Sequence, residues 1–394
     1  MINPIYKYEE RLCVLATSGN LRELPEMEHQ GKWILHAGKR MLNLSSNDYL
    51  GLSGNPELRA EFLATPAARW EPFSSSSSRL LTGNFPVYEA LEREIARSFE
   101  RETALLFNSG YHANTGILPA LADKRTLILA DKWVHASIID GILLSGAPFQ
   151  RYRHNDYEQL ERLLRKNATD YETIIIVTES LFSMDGDVAD LWRLIALKRA
   201  YPHILLYVDE AHAIGVRGER GLGIAEEQDC IQGIDLLVGT FGKALASMGA
   251  YVVCSSVLRS YLINTMRPLI FSTALPPFQI AWTRFVWERI PEFSAERERL
   301  RSLSVRLAHA LQGKGGEISQ SHILPFIVGE SPDCVLKAEE LRRKGFYCLP
   351  VRPPTVPKGT SRIRFSLTAN MEEAEIDALI ASIYVMDNSK RKEL

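Results

Sequence analysis

The stretch "HILLYVDEAH", residues 203–212, decides the fold of this chain. Its apolar residues are continuous rather than alternating, which is typical of a strand that is buried on both faces of a sheet. The run ends at a carboxylate, Asp209. Placing a carboxylate there is costly unless a positive or hydrogen-bonding group meets it. The stretch therefore predicts an interior strand whose end needs a polar partner.

Similar apolar, β-branched runs recur through the middle of the chain. They cover residues 103–110, 126–131, 173–180, 235–240, 250–255 and 269–273. Helix-like segments separate several of these runs, and the clearest have apolar residues on one face. Those segments are residues 87–99, 156–164 and 189–199. Strand, helix and strand in series predict a mainly parallel sheet covered on both faces, so the fold class is α/β.

The pattern changes after residue 277, where a long helical stretch covers residues 278–311. The strands expected beyond it are near residues 323–328, 347–351 and 361–367. The first 40 or so residues are expected to be helical, followed by a hairpin-like segment at residues 32–46. The predicted divisions are an N-terminal segment, a large domain and a smaller α+β C-terminal domain, at residues 1–45, 46–280 and 281–394.

Composition and charge exclude several classes of protein. The 46 Lys and Arg residues nearly balance the 48 Asp and Glu residues, so no global charge favours nucleic acid or an anionic membrane. The five cysteines are scattered without a C-x-x-C pair, which favours a reducing compartment and no zinc site. The N-terminus has no apolar signal region, and no run of about 18 apolar residues occurs. We therefore expect a cytoplasmic protein without a metal, a membrane span or a nucleic-acid partner.

Polar residues that follow the predicted strands are candidate site residues, because ligands of parallel sheets bind outside the carboxyl ends of the strands. Lys243 follows the run at residues 235–240. In a dry pocket a lysine loses its proton more readily and becomes a nucleophile toward carbonyl groups. A lysine that extends along the surface is the competing interpretation. Gly239 and Gly242, which permit close backbone approach, favour the pocket.

Other polar residues after the predicted strands would, together with Lys243, bind a cofactor. Ser109, Gly110 and Tyr111 follow another run and offer a hydroxyl and backbone N–H groups where a phosphate could bind, although taken alone they are better explained as a plain turn between a strand and a helix. A phosphate cradle, a carboxylate for a pyridinium nitrogen and a carbonyl-trapping lysine are what pyridoxal phosphate needs. Asp209 supplies the carboxylate, and His135 is a flat group for stacking on the ring. The sequence thus predicts pyridoxal phosphate as the cofactor.

At these residues the sequence resembles the fold type I pyridoxal-phosphate enzymes and, within them, the α-oxoamine synthases. The resemblance covers nearly the whole chain. Its segments, in order, are "NLSSNDYLGL", "SSRLLTGN", "ALLFNSGYHAN", "DKWVHASIIDG", "RYRHND", "TESLFSMDGD", "VDEAHAIGVRGERGLG" and "GTFGKALASMGAYV". The resemblance implies a large domain with a mainly parallel central sheet flanked by helices, a smaller C-terminal domain, and a homodimer with active sites at the subunit interface.

The resemblance also implies roles for individual residues. Lys243 matches the lysine that binds the cofactor, Asp209 the partner of the pyridinium nitrogen, and His135 the ring-stacking histidine. His212 and Ser183 match groups near the ring hydroxyl. The matched phosphate contacts are Ser109, Gly110, Tyr111 and Thr240, with Thr273 serving the neighbouring subunit. The matched substrate contacts are Arg22, Asn47, Arg352, Thr355 and Arg364.

The implied activity is the decarboxylative condensation of L-alanine with a pimeloyl thioester, in biotin biosynthesis. Residues 351–369, "VRPPTVPKGTSRIRFSLTA", are most similar to the members with this activity. The thioester is pimeloyl-CoA or a pimeloyl carrier protein, and the alternative is a sister enzyme that uses glycine or serine with another acyl-CoA. One departure is the serine run at residues 74–78, where relatives carry glycines. Serine keeps the packing close but not glycine-only dihedrals, and Leu80 and Leu81 would line an apolar entrance.

Two unrelated classes compete with an enzyme of this type. Residues 209–212 spell DEAH, a helicase-type label that requires a G-x-x-x-x-G-K-[ST] phosphate loop. The nearest candidate, at Lys243, is followed by alanine and comes after the DEAH. A catalytically idle binding or scaffold protein would not need the lysine, the aspartate and both histidines. A pyridoxal-phosphate-dependent acyltransferase is therefore expected.

Overall fold

The computed structural model describes residues 4–312 and 319–390. The chain divides into two compact units. The large unit contains Leu50–Ser183 and Asp187–Glu298, and the small unit contains Met1–Tyr49, Met184–Gly186 and Arg299–Leu394. These packing boundaries differ from the predicted division at residues 45 and 280, which remains a prediction about domains.

The strands of the described residues belong to three sheets. They are β1 (Glu28–Gln30), β2 (Trp33–His36), β3 (Lys39–Asn43), β4 (Thr103–Phe107), β5 (Thr126–Asp131), β6 (Phe149–Tyr152), β7 (Thr173–Glu179), β8 (Ile204–Asp209), β9 (Leu236–Thr240), β10 (Ala250–Cys254), β11 (Ile323–Gly329), β12 (Phe346–Tyr347), β13 (Pro350–Val351) and β14 (Ser361–Ser366).

Helices connect and cover these strands. They are α1 (Tyr6–Thr17), α2 (Pro56–Leu63), α3 (Pro66–Trp70), α4 (Pro86–Ser98), α5 (Gly110–Leu121), α6 (Ala136–Ser145), α7 (Tyr157–Asn167), α8 (Leu191–Arg199), α9 (Ile224–Glu227), α10 (Ser256–Thr265), α11 (Arg267–Ile270), α12 (Pro277–Arg289), α13 (Ser294–Leu311), α14 (Ser331–Arg343) and α15 (Glu373–Lys390), with 3₁₀ turns at Ile231–Gly233 and Ile290–Phe293.

The large unit is built on a seven-stranded sheet with the order β4-β10-β9-β8-β7-β5-β6. Strand β10 is antiparallel to both neighbours, while the other strands share one direction. Strands β7 and β8 are buried almost throughout, as their continuous apolar runs predict. Helices α5 and α6 cover one face, where Ile117, Ile138 and Ile142 join the main apolar core. The predicted α/β class with a mainly parallel sheet is confirmed.

Two elements of this unit differ from the sequence prediction. Residues 269–273 were expected to form a strand, and this is wrong: α11 covers Leu269 and Ile270. Pro268 lies in the first turn of α11, where its fixed φ suits a helix and its missing N–H costs nothing. Strand β6 was not predicted, because its sequence "FQRY" is short and largely polar. Such a composition fits its place at the edge of the sheet.

The small unit contains the other two sheets. Strands β2 and β3 form the expected hairpin, and its turn residues Ala37 and Gly38 have φ values of 50° and 73°. Both values lie in the left-handed region that tight hairpin turns require. The single strand expected at residues 347–351 is in fact divided. Strand β12 pairs with β3, whereas β13 pairs with β14.

Two general properties concern the chain as a whole. Within residues 4–312 and 319–390, no helix combines the length and the apolar character that crossing a bilayer requires. All five cysteines are free thiols, and four of them are buried.

Candidate active site

The carboxyl ends of the parallel strands in the large unit lie on the same side of the sheet and are followed by polar residues. Glu179 at the end of β7 is paired in register with Asp209 at the end of β8. Asp209 in turn pairs with Val238 in β9, two residues before Thr240. His135 follows β5 and caps α6. The side chains collected from separate sequence segments therefore lie along the same edge, as parallel pairing requires.

Asp209 is held as a buried carboxylate by specific donors. Its side chain is 5% exposed. One oxygen accepts a hydrogen bond from the backbone N–H of Ala211 at 2.9 Å, and the other accepts one from Asn114 Nδ2 at 3.0 Å. Asn114 also donates to Ser137 Oγ at 2.9 Å and accepts from the Tyr207 hydroxyl. These neutral donors satisfy part of the carboxylate and leave its negative charge in place.

Lys243 projects from the turn that follows β9. Its Nζ is 2.9 Å from Nε2 of His212, which is buried in the turn after β8. Within β9, before this turn, Gly239 leaves room for the side chain of Tyr251 on the neighbouring strand β10, because a Cβ atom on Gly239 would lie 2.4 Å from the hydroxyl of Tyr251. A half-buried amine beside an imidazole has a direct route for exchanging a proton.

The N-terminus of α5 forms a cradle beside the end of β9. Ser109 is the N-cap residue, and its Oγ accepts a hydrogen bond from the N–H of His112 at 3.1 Å. A Cβ atom on Gly110 would lie 3.8 Å from Thr240 Oγ1. The first N–H groups of a helix have no partner within the helix and carry partial positive charge. The cradle therefore suits an anion such as a phosphate.

His135 and Glu179 titrate under the influence of their neighbours. Burial lowers the pKa of His135, and Lys243 adds to this effect while Asp209 and Asp140 oppose it. Burial, and next the charge of Asp209, raise the pKa of Glu179 well above its usual value. The backbone N–H of His135 bonds the Glu179 carboxyl, while the Oε1 atom of Glu179 has no partner among the described residues. Because its pKa is lowered, the imidazole of His135 is uncharged near neutral pH.

Other predicted cofactor contacts lie around this edge. Tyr111 is exposed and donates its hydroxyl proton to Asp140 at 2.7 Å, a hydrogen bond that raises the pKa of the phenol. Ser183 is buried in the connection that follows β7. Thr273 is exposed in the loop after α11, and its carbonyl accepts from Asn108 Nδ2 at 2.7 Å. The exposure of Thr273 leaves its side chain available to another molecule.

The glutamate of the DEAH segment has a structural setting. Glu210 is fully buried and accepts hydrogen bonds from the backbone N–H groups of Ile224 and Ala225, at 3.0 Å and 2.7 Å. Ser180 also donates to it. Burial raises the pKa of Glu210 to about 7 despite these donors. The carboxyl ties the end of β8 to α9, so the segment gives no sign of a nucleotide-hydrolysing motif.

Comparison with known proteins identifies the family. Residues 39–383 match the family "aminotransferase class I and II". A protein of Haemophilus ducreyi named 8-amino-7-oxononanoate synthase is 59% identical over 386 residues, covering 95% of this chain and 99% of that protein. A Pasteurella multocida protein named putative 8-amino-7-oxononanoate synthase is 58% identical, covering 95% and 98%. This chain belongs to the 8-amino-7-oxononanoate synthase family.

Solved structures support the same fold. An 8-amino-7-oxononanoate synthase from Francisella tularensis matches with a TM-score of 0.76 and 28% identity, over 89% of this chain and 99% of that chain. A serine palmitoyltransferase from S. paucimobilis with bound PLP-myriocin matches with a TM-score of 0.90 and 27% identity, over 98% and 99%. The predicted fold type I architecture and membership of a pyridoxal-phosphate-dependent family are both confirmed.

The strand-end residues of this family member fit pyridoxal phosphate. Asp209 is a buried carboxylate that accepts hydrogen bonds from the neutral donors of Asn114 and Ala211, so it can pair with a cationic ring nitrogen. The helix N-terminus at Gly110 and the hydroxyl of Thr240 form an anion cradle. Lys243 supplies an amine, and His135 supplies a flat uncharged ring. The donor set thus matches an aromatic cation, a phosphate and an aldehyde on one molecule.

The predicted substrate contacts of the synthase all belong to the small unit. Arg364 lies 3.4 Å from Asn47 Oδ1 and 3.3 Å from the hydroxyl of Tyr49. Thr355 is one turn from Arg352, whose carbonyl accepts its N–H at 3.0 Å. Arg22 is exposed in the segment after α1. Arg364 and Asn47 are joined through their side chains, whereas Thr355 and Arg352 are joined through the backbone. The assignment of substrate groups to these residues remains a prediction.

Two side chains of the synthase site were missed as functional residues. Asn114 bonds Asp209 directly, yet in the sequence it is one polar residue inside a helix of mixed composition. Its buried position on α5 was the available signal, because a buried amide needs specific partners. Glu179 was noted at a strand end but received no role. Its pairing with Asp209 across β7 and β8 requires the strand register, which the sequence does not give.

The serine run contains one residue in the left-handed region, Ser76, with a φ of 47°. Non-glycine residues also adopt this conformation, so it does not test the expectation that glycine-only dihedrals are lost in the run. The N–H of Ser76 donates to Ser74 Oγ at 3.0 Å, which supports this left-handed residue locally. Ser75 is buried and donates to the carbonyl of Leu275 at 2.6 Å. The exposed Leu81 follows the run, as an apolar entrance would require.

Proposed function

We propose that this chain joins L-alanine to a pimeloyl thioester and releases 8-amino-7-oxononanoate, carbon dioxide and the free thiol. The observation that carries the proposal is 59% identity with a named 8-amino-7-oxononanoate synthase over 95% of this chain. The contacts at the strand ends supply the necessary chemistry, since Lys243, His212 and Asp209 lie at one edge of the sheet. The enzyme is a pyridoxal-phosphate-dependent acyltransferase of biotin biosynthesis.

The cofactor would be held through three of its parts. Asp209 would pair with the ring nitrogen, the cradle of Ser109, Gly110 and Thr240 would hold the phosphate, and the amine of Lys243 would hold the aldehyde. When bound, pyridoxal phosphate supplies an electron sink that stabilises negative charge on the α-carbon of the amino acid. The carboxylate of Asp209 keeps the ring nitrogen protonated, which is the condition for that stabilisation.

Proton movement in the reaction falls to Lys243. Its amine is a general base for the α-proton of alanine, acting from Nζ. The imidazole of His212, with Nε2 2.9 Å from Nζ, is placed to accept a proton from Lys243 or to return one to it. His135 is uncharged when its pKa is lowered, and it stacks on the aromatic ring without repelling the protonated nitrogen.

A second candidate has the same chemistry with another amino acid. The serine palmitoyltransferase fold matches this chain with a TM-score of 0.90, above the 0.76 of the solved 8-amino-7-oxononanoate synthase. Both solved proteins share under 30% identity with this chain, whereas the named synthase from Haemophilus ducreyi shares 59%. Side chains rather than backbone shape select the amino acid and the acyl group, so the sequence relationship favours alanine.

The assay that tests the proposal measures thiol release by the purified protein loaded with pyridoxal phosphate. Pimeloyl-CoA is supplied with alanine, glycine or serine in separate reactions, and a pimeloyl carrier protein replaces the CoA thioester in a parallel set. We expect fast release only with alanine. Fast release with serine or glycine instead would assign the chain to a sister activity while retaining the cofactor.

We also propose that the enzyme acts as a cytoplasmic homodimer. Scattered free cysteines suit a reducing compartment. A hydrogen bond from the N–H of Ala274 to the carbonyl of Ser77 joins the segments that carry Thr273 and Leu81. Large apolar side chains are exposed in both segments, since Leu81 and Phe271 are 79% and 70% exposed. Pairing of two copies through this surface would bury these side chains and bring Thr273 to the phosphate of the partner subunit.

A further inference from the structure

His154 has two carboxylate partners that lie on different turns of the large unit. It follows β6 at the start of the connection to α7. Its Nδ1 is 3.0 Å from Asp131 Oδ1, and its Nε2 is 2.6 Å from Asp187 Oδ2. Both ring nitrogens are therefore engaged by carboxylates. A single imidazole that spans two turns can fix the distance between them.

The first of these turns carries His135. Asp131 is fully buried at the end of β5 and also accepts the N–H of Trp133 at 2.8 Å. The ring of Trp133 stacks on His154 with centroids 3.9 Å apart and planes inclined by 17°. His135 comes two residues after Trp133 and starts α6. His154 therefore contacts residues 131–133, which lead directly to His135.

The second turn carries Ser183. It is closed by a hydrogen bond from the N–H of Phe182 to the carbonyl of Asp187 at 3.0 Å. The ring of Phe182 meets His154 edge-on, with centroids 4.4 Å apart. Asn155 donates its side-chain N–H to Asp187 at 3.0 Å. Phe182 and Asp187, which lie on either side of Ser183 in the sequence, are therefore both in contact with His154.

The charge of His154 suits this position. Burial alone disfavours the imidazolium, but the hydrogen bonds to Asp131 and then Asp187 outweigh it and raise the pKa of His154 to about 9. These two carboxylates are the charged groups that face the ring, and Asn155, Trp133 and Phe182 are its neutral neighbours. At neutral pH one cation therefore bonds two anions from two turns, with charge-assisted hydrogen bonds that are stronger than neutral ones.

We propose that His154 is a positioning residue that holds together the turns presenting His135 and Ser183 to the cofactor ring. The inference rests on the proposed function, because those two residues matter only if the ring lies there. His154 itself does not touch the reacting atoms. Small errors in the placement of groups around a reacting centre cost up to about 100-fold in rate, so loosening both turns would be felt in turnover.

The test compares His154→Phe with His203→Phe as the matched control. Phenylalanine keeps a flat ring for Trp133 but loses both hydrogen bonds. His203 lies just before the amino end of β8, away from the carboxyl ends of the strands, and its Nε2 has no hydrogen-bond partner among the described residues. Hydrogen–deuterium exchange is measured on the full-length protein with and without pyridoxal phosphate. Steady-state thiol release then separates kcat from KM.

We expect residues 131–137 and 180–187 to exchange faster in His154→Phe than in the wild type, with or without cofactor. In His203→Phe these residues should exchange at the wild-type rate. We also expect kcat to fall by up to about 100-fold while KM for the thioester stays unchanged. Exchange in both segments equal to that of the wild type would overturn the inference. Asp187→Asn replaces a charged acceptor by an isosteric amide and should loosen residues 180–187 even if His154→Phe does not fold.

Failure of the proposed function has a different signature. In that case the wild-type protein would release no thiol with any amino acid, yet the exchange comparison between the two histidine variants could still be made. If residues 131–137 and 180–187 exchanged faster in His154→Phe while kcat stayed at the wild-type value, the spacing of the two turns would not matter for catalysis. That result would overturn the inference that His154 positions groups for the reaction.

Discussion

At the scale of single residues, the site combines a nucleophilic amine with two carboxyl groups in different states. Lys243 lies beside His212, and Asp209 is held by neutral donors. Glu179, its neighbour across the strand pair, has a pKa raised by burial and by Asp209. Two adjacent buried carboxyls cannot both be charged at low cost. Burial and the neighbouring carboxylate therefore both favour the protonated form of Glu179.

Lys243→Ala tests the role of the amine. We expect the variant to lose thiol release entirely, and to show no mass increase after borohydride reduction in the presence of pyridoxal phosphate, because no other residue is proposed to bind the aldehyde. Lys198→Ala is the control, since Lys198 is paired with Asp235 at 2.6 Å and lies away from the strand ends. Turnover that survives in Lys243→Ala would show that the role assignment is wrong.

Glu179→Gln tests the uncharged carboxyl. A raised pKa in the folded protein means that the unfolded chain loses this proton first. Glu179 therefore lowers the free energy of unfolding as pH rises above 4.5, the usual pKa of a glutamate. Glutamine removes this cost. We expect Glu179→Gln without cofactor to be no more stable than the wild type near pH 4.5 and to be more stable at pH 8, as measured by guanidinium unfolding.

Glu92→Gln is the matched control with the opposite sign. Glu92 is buried but bonds Arg79 and Arg259, the latter at 2.8 Å. Removing its charge leaves two arginines without their partner, so this variant should be less stable than the wild type at pH 8. A Glu179→Gln variant that loses stability at pH 8, as Glu92→Gln does, would show that Glu179 is ionised in the folded protein.

At the scale of elements, the N-terminus of α5 has both a structural and a binding role. Ser109 caps the helix through the N–H of His112. Ser255 caps α10 in the same manner through the N–H of Leu258, at 3.4 Å. Loss of such a cap costs about 1 kcal/mol. The two serines differ in location, because only Ser109 lies beside Thr240 and the proposed phosphate cradle.

Ser109→Ala and Ser255→Ala separate these roles. We expect both variants to lose about 1 kcal/mol in the free energy of unfolding without cofactor. Only Ser109→Ala should also raise the Kd for pyridoxal phosphate in equilibrium dialysis, because a hydroxyl is missing from the cradle. An equal Kd in both variants would remove Ser109 from the phosphate site and leave it as a helix cap.

The accuracy of the element predictions followed burial. Strands β7 and β8 were predicted well, because strands covered on both faces need continuous apolar residues. The run at residues 269–273 has a similar composition, but its first two residues form the end of the short helix α11 and the rest lie in a loop. Short apolar runs do not distinguish a buried strand from a buried helical turn, and the proline at position 268 was the deciding local signal.

At the scale of the whole molecule, the exposed apolar surface near Thr273 bears on assembly. Phe73 is exposed, and its ring packs against Phe278 with centroids 4.9 Å apart. The N–H of Ala274 donates to the carbonyl of Ser77 at 2.9 Å, which joins the serine run to the loop that carries Thr273. Contiguous exposed apolar side chains mark surfaces that contact other molecules.

A Leu81→Glu, Phe271→Glu double variant tests the homodimer. Charged side chains at an apolar interface must be desolvated without a partner, so we expect this variant to sediment as a monomer at concentrations where the wild type is a dimer. Val257→Glu, which changes a residue of similar exposure on α10, is the control. An unchanged mass in the double variant would place the dimer contact on another surface.

The sequence by itself determined the kind of sheet, the identity of the family and the residues that flank each strand end. Buried parallel strands leave a continuous apolar pattern, and Asp209 and Lys243 stand out because polar groups directly after such strands are costly without a purpose. Tertiary structure alone decided which groups are neighbours. The bond from Asn114 to Asp209, the pairing of Glu179 with Asp209 and the bridge of His154 between two turns each join residues far apart in sequence. Contacts of this kind depend on strand register and on the packing of helices against the sheet, and no local pattern records them.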